Sequence, residues 1–474
     1  MSSAPYDFCI IGAGSGGLSV AAAAAQFGEK VVLIESGKMG GDCLNYGCVP
    51  SKALIAAGKH AHAFGSGEAF GIAPAKPKVD FKKVHDHIHD VIAGIAPHDS
   101  VERFEGLGVR VIQATGRFVD AETVEAAGEK IKARHFVVAT GSSPSAPPIP
   151  GLDKVDYLTN ETLFLNTSLP KDLIIIGGGP VGMEMAQAHR RLGANVTVLE
   201  AFDPLGKDDP ELTRVVLDHL RDEGVEILAQ AKISKISQTK TGITVELEHD
   251  DVGKTIKGSH LLVAAGRKPN VDDLNLEAAG IAYERRGITV DDGLRTTNRK
   301  VYAIGDVAGG LQFTHVAGYH AGLVIRNALF RLPAKNKTGH IPWVTYTDPE
   351  LAHVGLTEAD ARKQNGGGVK MLKWTFDEND RARTERKTDG IIKVVTAGNG
   401  RILGATIVGP NAGELIQSWS LSISAGLKIK AMIDQVVAYP TLAEVGRRAA
   451  ITQYADLPAN PWIRRMIAVL KKIG

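Results

Sequence analysis

The 474-residue sequence has little cysteine, few aromatic residues and no strong charge of either sign. It contains three cysteines, and aromatic residues make up 5% of it. Three cysteines are too few for a structural disulfide framework, so we expect a reducing, cytoplasmic setting. No apolar run reaches the roughly 20 residues that span a bilayer, and we expect no signal peptide, because no basic region precedes the first apolar segment. The net charge of +2 gives no indication of nucleic-acid binding.

Two of the three cysteines lie five positions apart, in a glycine-rich stretch that leads into an Ala/Leu-rich run. Cys43 and Cys48 belong to the sequence Gly-Gly-Asp-Cys-Leu-Asn-Tyr-Gly-Cys-Val-Pro-Ser-Lys. Pro50 suits a first helical turn, so Cys48 is predicted at a helix N-terminus, where the helix dipole favours a thiolate. Lys52 adds positive charge one turn later. These features predict a redox-active Cys48 that can form a disulfide with Cys43.

A strand, turn, helix and strand pattern occurs twice, and each copy ends in a glutamate. The glycines and the acid are Gly12, Gly14, Gly17 and Glu35 in the first copy, and Gly177, Gly179, Gly182 and Glu200 in the second. The first glycine and the acid are separated by 23 residues in both copies. Glycines let the backbone approach a pyrophosphate at the helix N-terminus, and the acid accepts hydrogen bonds from ribose hydroxyls. Two different dinucleotides are therefore expected, a bound flavin and a diffusing nicotinamide.

The cysteine stretch resembles the redox motif of the pyridine nucleotide:disulfide oxidoreductases, and the resemblance extends over nearly the whole chain. These flavoproteins include dihydrolipoamide dehydrogenase, glutathione reductase and mercuric reductase. The resemblance implies an α/β fold with two Rossmann-like dinucleotide-binding domains and a C-terminal α+β dimerisation domain. The implied divisions are 1–150 and 271–339 for FAD binding, 151–270 for NAD(P) binding, and 340–474 for dimerisation.

The position of the cysteines indicates which dinucleotide each site holds. The redox pair follows the first turn after a short link, so FAD is expected there and NAD(P)H in the second site. Glu200 would repel a 2′-phosphate, and neither Ala201 nor Phe202 is the arginine that usually accommodates one. NADH is therefore preferred, although Lys207 lies close enough in sequence to keep NADPH as an alternative.

The resemblance also implies roles for residues outside the two turns. Thr140 and Gly141 match the crossover out of the FAD domain, and Gly266 matches the return to it. Asp306 is implied to bind the ribityl chain of FAD. His315 lies in the first turn of a helix whose N-terminus faces the flavin in this family, and it is either a flavin contact or a packed first-turn residue.

The implied electron path runs from NADH through the flavin to the cysteine pair. Cys48 is expected to face the flavin, which leaves Cys43 as the exposed thiol that meets the acceptor. Lys52 and Glu184 match an ion pair that lies beside the flavin in this family, where a buried charge needs a partner.

Residue 439 departs from the pattern of the disulfide reductases. In this family the segment that matches Val437 to Glu444 crosses the dimer interface to face the partner's disulfide, which implies a homodimer with shared active sites. The disulfide reductases have a histidine at the position of Tyr439, hydrogen-bonded to the glutamate that matches Glu444. A tyrosine has a pKa of about 10 and cannot easily exchange protons with dithiols at neutral pH.

Three functions are consistent with this departure. The first is a mercuric-reductase-like enzyme whose acceptor is a metal ion or a non-standard disulfide; mercuric reductases also have tyrosine here, but they end in a cysteine pair where this chain ends Lys-Lys-Ile-Gly. The second is dihydrolipoamide dehydrogenase with another base. The third is a flavoprotein kept as a binding subunit whose redox cycle is idle.

Two further patterns, a group of histidines and a basic C-terminal segment, lie outside the redox motif and the two glycine turns. His85, His87 and His89 lie on a predicted helix, where histidines of this kind are usually part of a solvated flank, so no metal site is expected there. The segment from Trp462 to Ile473 is predicted to form a basic amphipathic helix. The sequence favours packing of that helix on the protein's own dimer over contact with a membrane surface.

Overall fold

The structure is a computed structural model that describes residues 5–473, and the chain in it forms two compact units. The first unit runs to Gly178 and also takes in Met185–Ala201 and Val225–Lys337; the second comprises Gly179–Glu184, Phe202–Gly224 and the chain from Thr338 onward. Residues 1–4 and Gly474 lie outside the described residues. The expectation that the chain begins without a signal peptide concerns the first of these segments. Among residues 5–473, no helix combines the length and apolar character needed to cross a membrane.

The strands alternate with helices over much of the chain. In chain order the strands are β1 (Tyr6–Ile11), β2 (Val31–Glu35), β3 (Arg110–Gln113), β4 (Arg117–Asp120), β5 (Thr123–Ala126), β6 (Glu129–Val138), β7 (Ser142–Pro144), β8 (Asp172–Ile176), β9 (Asn195–Leu199), β10 (Val225–Leu228), β11 (Lys232–Thr239), β12 (Gly242–His249), β13 (Val252–Gly258), β14 (His260–Val263), β15 (Arg267–Pro269), β16 (Tyr283–Glu284), β17 (Gly287–Ile288), β18 (Val301–Ala303), β19 (Pro342–Thr345), β20 (Glu350–Gly355), β21 (Val369–Thr375), β22 (Ile391–Ala397) and β23 (Ile402–Gly409).

The helices are α1 (Ser15–Gln26), α2 (Gly41–Asn45), α3 (Cys48–Ala63), α4 (Phe81–Ile95), α5 (Val101–Gly106), α6 (Pro180–Leu192), α7 (Pro210–Asp222), α8 (Thr314–Ala328), α9 (Glu358–Asn365), α10 (Asp380–Thr384), α11 (Ala412–Ser424), α12 (Ile429–Asp434), α13 (Glu444–Ile451) and α14 (Pro461–Leu470).

A seven-stranded sheet dominates the first unit, in the order β3-β2-β1-β6-β5-β4 with β18 also paired to β6. Strands β5 and β4 extend the sheet beyond β6 in antiparallel pairs, whereas β1, β2, β3, β6 and β18 pair with one another in parallel. Their apolar residues are buried on both faces, as is typical of parallel sheets covered on both sides. Phe8 and Ile10 of β1 join one core cluster, whereas Cys9 and Ile11 join the cluster on the other face. Cys9 is thus a core residue, and burial raises the pKa of its thiol.

The second dinucleotide turn belongs to a separate parallel sheet with the order β10-β9-β8-β14, accompanied by the antiparallel sheet β11-β12-β13. The chain enters and leaves this region along the antiparallel pair β7 and β15. The Thr140 hydroxyl donates to the Asn270 carbonyl oxygen at 2.7 Å, and the Asn270 amide donates to the Thr140 carbonyl oxygen at 2.9 Å. The two crossovers therefore lie side by side, while the four-part domain division at 150, 270 and 339 stays a prediction.

An antiparallel sheet of five strands, in the order β19-β20-β23-β22-β21, forms the centre of the second unit. Helices α11, α12 and α13 pack with it around the fully buried Trp419 and Phe376. An antiparallel sheet packed against helices makes this an α+β layer, which confirms the predicted fold class together with the two parallel sheets of the first unit.

Within the second unit, a buried lysine joins α7 to the sheet. Lys393 of β22 has 8% of its side chain exposed, and its Nζ lies 2.6 Å from Asp209, 3.1 Å from Glu211 and 3.3 Å from Glu358. Asp209 also caps α7 by accepting a hydrogen bond from the Glu211 amide at 3.0 Å. Glu211 and Glu358 also pair with Lys373 and Arg362, but Asp209 is only 8% exposed. Removal of the Lys393 ammonium group would therefore leave the negative charge of Asp209 buried without compensation.

We expect Lys393→Met to lower the free energy of unfolding of this unit by about 3 kcal/mol, which corresponds to roughly 6 to 12 °C in melting temperature for a unit of this size. Thermal unfolding followed by circular dichroism measures the change. Lys373→Met is the matched control, because Lys373 pairs with the same Glu211 but is 43% exposed, and exposed pairs contribute about 1 kcal/mol or less. Equal losses in the two variants would contradict the assignment.

Candidate redox site

The first glycine turn lies between β1 and α1, and its shape leaves no room for larger side chains. A Cβ added to Gly12, whose φ is +104°, would lie 2.4 Å from the Ala139 carbonyl oxygen. The Glu35 carboxylate at the end of β2 accepts hydrogen bonds from the amides of Ala13, at 2.5 Å, and Gly37, at 2.6 Å. The carboxylate of Glu35 thus contacts the glycine turn beside which the sequence predicts it. Gly14 caps α1 without a side-chain hydrogen bond, and Gly17 is buried within α1.

The second turn repeats this geometry. A Cβ on Gly177, whose φ is +113°, would lie 2.5 Å from the Ala264 carbonyl oxygen. Glu200 follows β9 and accepts a hydrogen bond from the Gly178 amide at 2.5 Å. Gly178 was not among the predicted residues, although it is the middle glycine of the Gly-Gly-Gly run. Gly179 precedes α6, and Gly182 lies in the first turn of α6.

Both turns fit a dinucleotide. In each, a glycine with positive φ allows close approach of the backbone at a helix N-terminus, where amide groups and the helix dipole favour a pyrophosphate. In each, a carboxylate lies at the end of the adjacent strand, where ribose hydroxyls can donate to it.

The cysteine motif packs directly on the first turn. The Gly40 amide donates to the Ala13 carbonyl oxygen at 3.0 Å. A Cβ on Gly41, whose φ is +61°, would lie only 2.7 Å from the Gly14 Cα. Glycine is therefore required at position 41 by close backbone approach to the turn predicted to hold FAD, and it is favoured at position 40 by a φ of +85°.

Cys48 is the first residue of α3 and follows Gly47 at its N-cap. The Cys48 Sγ lies 3.5 Å from the hydroxyl of Thr314, the first residue of α8. The Ser15 hydroxyl donates to the Thr314 carbonyl oxygen at 3.4 Å, which ties the starts of α1 and α8 together. Thr314 was missed in the sequence analysis, because a threonine 266 residues from Cys48 carries no local signal of this contact.

The two thiols differ sharply in acidity. A hydrogen bond from the Cys43 thiol lowers the pKa of Cys48 to about 6, assisted by the Thr314 hydroxyl and the charge of Lys52 against the opposing effects of burial and Asp42. The same hydrogen bond, together with burial, raises the pKa of Cys43. Cys48 is therefore a thiolate at neutral pH, with the proton held on Cys43.

The two cysteines of the motif differ in the exposure of their side chains. Both cysteines are free, but Cys48 is exposed and Cys43 is only partly so. Cys43 lies within the short helix α2 next to the buried Leu44, whereas Cys48 begins α3. The expectation that Cys48 faces the flavin and leaves Cys43 as the exposed thiol that meets the acceptor concerns the enzyme with FAD bound. Which sulfur meets which reaction partner stays a prediction.

A polar network connects the cysteine motif to Asp306. One oxygen of Asp42 accepts from the Asn160 amide at 2.9 Å, and the other lies 3.3 Å from Arg267. Arg267 donates to the Ser142 hydroxyl at 2.7 Å, and that hydroxyl donates to Asp306 at 2.6 Å. Burial raises the pKa of Asp306, against the lowering effects of Ser142 and Arg267. Asn160, Ser142 and Arg267 are additions to the predicted set.

Two more of the predicted residues of the first unit lie near this network. Gly141 and Gly266 have φ values of +70° and +153° and lie beside the paired crossover strands. His315 is exposed and its ring stacks on Phe313 at a centroid distance of 5.3 Å. His315 therefore lies in the first turn of α8 and contacts the residue that precedes this helix. Its role toward a flavin stays a prediction.

In the second unit, Tyr439 has a partner that the sequence did not indicate. The Tyr439 hydroxyl donates to Asp380 at 3.0 Å, and this bond raises the pKa of the tyrosine. Glu444 begins α13 and is partly buried. Glu184 is buried and accepts a hydrogen bond from the Tyr346 amide at 2.9 Å. The pairing of Glu184 with Lys52 stays a prediction.

The three histidines of α4 make no group of metal ligands. The rings of His85 and His89 stack at 4.0 Å, and the His89 ring also lies 2.9 Å from the His85 carbonyl oxygen. Within residues 5–473, no three His, Cys, Asp or Glu side chains are grouped so that they could hold a metal ion.

We expect alkylation of Cys48 by iodoacetamide to rise with pH around a midpoint near 6, because only the thiolate is nucleophilic. Peptide mapping of the reduced protein measures the rate at each cysteine. Thr314→Val should move the midpoint upward, since the thiolate then loses a donor, whereas Thr314→Ser keeps the hydroxyl and serves as the control. A midpoint above 8 in the unaltered protein would contradict the assignment.

Known proteins are similar to this chain in both sequence and fold. Over 455 residues the chain is 37% identical to a mercuric reductase of Bacillus cereus, covering 95% of this chain and 72% of the relative. Over 450 residues it is 36% identical to a dihydrolipoyl dehydrogenase of Geobacillus stearothermophilus, covering 93% and 94%. The solved structure of LpdA from Mycobacterium tuberculosis matches with a TM-score of 0.86 at 26% identity, covering 94% of this chain and 99% of that one.

A second solved structure is the Cu(II) complex of the HOCl-induced flavoprotein disulfide reductase RclA from Escherichia coli. It matches with a TM-score of 0.83 at 28% identity and covers 93% of this chain and 98% of that one.

The family matches account for most of the chain. Residues 6–321 match the pyridine nucleotide-disulphide oxidoreductases, and residues 341–450 match the dimerisation domain of the same family, which points to a homodimer. The predicted family is thereby confirmed. The chain belongs to the pyridine nucleotide-disulphide oxidoreductases, and it is an FAD-dependent enzyme that takes electrons from NAD(P)H and acts on a disulfide or a metal ion.

Proposed function

We propose that the enzyme uses NADH to reduce a thiophilic metal ion, such as Hg(II) or Cu(II), at the Cys43 and Cys48 pair. Tyr439 carries this proposal, because its hydroxyl is bound to Asp380 and its pKa is raised. A group of this kind cannot accept a proton from a dithiol at neutral pH, which dithiol oxidation needs. Reduction of a metal ion involves no dithiol substrate, so it needs no base that takes a proton from one.

The relatives support the same choice. The similar chain from Bacillus cereus is named a mercuric reductase, and the structural neighbour RclA was solved with Cu(II). Soft thiolate ligands select ions such as Cu(I), and two sulfur atoms in one motif supply such ligands. Cys48 is already a thiolate at neutral pH, so only Cys43 has to lose a proton when a metal ion binds both sulfur atoms.

The residues of the cysteine motif have different roles in the proposed reaction. Bound FAD supplies the conversion of a nicotinamide hydride into two electrons. Cys48 and Cys43 hold the metal ion, and Lys52 stabilises the negative charge on Cys48. For mercury the overall reaction converts NADH and Hg(II) into NAD⁺, elemental mercury and one proton, so charge and electrons balance. With Cu(II), two ions become Cu(I) for each NADH.

We also propose the following assignments for the bound groups. The turn that ends in Glu35 holds FAD, because the cysteine motif packs on it through Gly40 and Gly41. The turn that ends in Glu200 holds the nicotinamide dinucleotide. The active site is shared across a homodimer, with Tyr439 and Glu444 of each subunit serving its partner. The low cysteine content suits a reducing cytoplasm.

Dihydrolipoamide dehydrogenase is the second candidate. Its support is the 36% identity to the Geobacillus stearothermophilus enzyme, which is covered over 94% of its length. This function would require another group to act as the base in place of Tyr439.

We expect NADH oxidation with Hg(II) or Cu(II) to exceed the turnover with lipoamide, glutathione disulfide and quinones. Steady-state rates with each acceptor measure this on the wild type, Cys43→Ala and Cys9→Ala. Loss of a sulfur ligand should abolish metal reduction in Cys43→Ala, whereas Cys9 is a core residue and its variant should stay active. Tyr439→His should raise lipoamide turnover about 100-fold, and Tyr439→Phe, which adds no base, should not.

Several outcomes would contradict the proposal. Vigorous lipoamide turnover by the wild type would favour the dehydrogenase. Metal reduction that survives in Cys43→Ala would remove the sulfur pair from the mechanism. Absence of turnover with every acceptor would favour a redox-idle binding subunit.

The preference for NADH yields a separate prediction. Glu200→Gln removes the negative charge, and the glutamine oxygen can still accept a hydrogen bond from the Gly178 amide. This variant should raise kcat/KM for NADPH relative to NADH by about tenfold, because the 2′-phosphate of NADPH then meets no like charge. The measurement is kcat/KM with both donors. Glu226→Gln, an exposed glutamate on the neighbouring β10, is the control. An unchanged ratio in Glu200→Gln would contradict the role of Glu200.

A further inference from the structure

Helix α14, Pro461–Leu470, is well formed but has an uncovered apolar face. The Asn460 side chain caps it by accepting from the Trp462 amide at 2.9 Å, and Pro461 occupies its first position. The Arg464 guanidinium donates to the Pro458 carbonyl oxygen at 2.6 Å, and the Arg465 guanidinium lies over the Trp462 ring at 5.6 Å. Local interactions therefore hold the helix in shape, and no residue of α14 is buried.

Apolar and basic side chains occupy separate arcs of this helix. At 3.6 residues per turn, the apolar residues span about 160° of the circumference; they are Trp462, Ile463, Met466, Ile467, Val469 and Leu470. Arg464 and Arg465 lie on the remaining arc, and Lys471 and Lys472 follow directly. The exposed fractions are 76% for Trp462, 55% for Met466 and 56% for Leu470, so the apolar arc faces solvent.

The charge of this segment has one sign only. From Leu457 to Gly474 the sequence has four basic residues and no Asp or Glu. The match to the dimerisation domain ends at residue 450, before α14 begins. The matched dimerisation domain therefore does not include α14, and packing of α14 on a second copy of the chain is the alternative to be distinguished by experiment.

We propose that α14 binds the surface of an anionic phospholipid bilayer. An interfacial helix lies in the plane of the membrane with its apolar face inserted and its basic residues at the lipid phosphates. Trp462 suits the boundary between headgroups and acyl chains, and the basic residues flank the apolar arc. The alternative occupant, α14 of a second copy, would bring two segments of positive charge together without any acid to pair them, which is unfavourable. The proposal is independent of which acceptor the enzyme reduces.

The test is sedimentation of the full-length, FAD-loaded enzyme with lipid vesicles. Vesicles of phosphatidylcholine mixed with phosphatidylglycerol should bind at least about tenfold more enzyme than vesicles of phosphatidylcholine alone, since each basic residue near an anionic surface adds to binding. High salt should weaken the binding, because it screens the surface charge.

Two variants separate the apolar and the electrostatic contributions. Trp462→Glu and the double variant Lys471→Glu with Lys472→Glu should each lower binding to the anionic vesicles about tenfold or more. Each has a matched control elsewhere on the surface. Leu165→Glu alters an apolar residue that is 60% exposed, and Lys76→Glu with Lys78→Glu reverses two exposed lysines of the first unit. The control variants should bind as the wild type does.

FAD absorbance and NADH turnover report whether each variant is folded, and both should match the wild type. If Trp462→Glu loses FAD, Leu470→Glu provides the same test about two turns later in α14. Equal binding to neutral and anionic vesicles, or no binding to either, would overturn the proposal. Conversion of the dimer to a monomer by Trp462→Glu, measured by analytical ultracentrifugation, would assign the helix to a second copy and also overturn it.

Discussion

The acidity of the two thiols in the cysteine motif depends on one interaction, the hydrogen bond between the Cys43 thiol and the Cys48 sulfur. That hydrogen bond is the largest cause of the lowered pKa of Cys48 and also of the raised pKa of Cys43. The surrounding structure maintains it: Cys48 starts α3, and Thr314 starts α8 within reach of the same sulfur. Two helix N-termini and one neighbouring thiol thus converge on a single thiolate, which is an environment suited to redox or metal chemistry.

The first glycine turn serves two purposes at once. The Glu35 carboxylate accepts a hydrogen bond from the Ala13 amide of this turn. Gly40 and Gly41 of the cysteine motif pack against the same turn, and neither has a side chain that would separate the two backbones. The network from Asp42 through Arg267 to Asp306 then binds the cysteine motif to the segment that returns from the second dinucleotide region. The second turn has the same acid and amide arrangement but no cysteine motif on it. This difference is the structural reason for assigning the resident flavin to one turn and the diffusing nicotinamide to the other.

Much of the fold and the centre of the site could be predicted from local sequence. The glycine turns, the acids that follow them and the start of α3 at Cys48 all depend on residues within about one supersecondary unit, where spacing and backbone conformation are informative. Contacts between distant segments could not be predicted in the same way. Arg267 reaches Asp42 across more than 200 residues, and Asp380 reaches Tyr439 across 59. The contact between the Cys48 sulfur and the Thr314 hydroxyl likewise joins the starts of α3 and α8, which are 266 residues apart in the sequence.

The hydrogen bond between Tyr439 and Asp380 has a consequence for how this enzyme could diverge. Tyrosine and histidine codons differ by a single transition at the first base, so one nucleotide change replaces the phenol by an imidazole at this position. Asp380 would remain in place, and a carboxylate beside an imidazole orients the ring and supports its protonated form. If residue 439 selects the acceptor, then thiol exchange and metal reduction lie one mutational step apart on an otherwise unchanged scaffold.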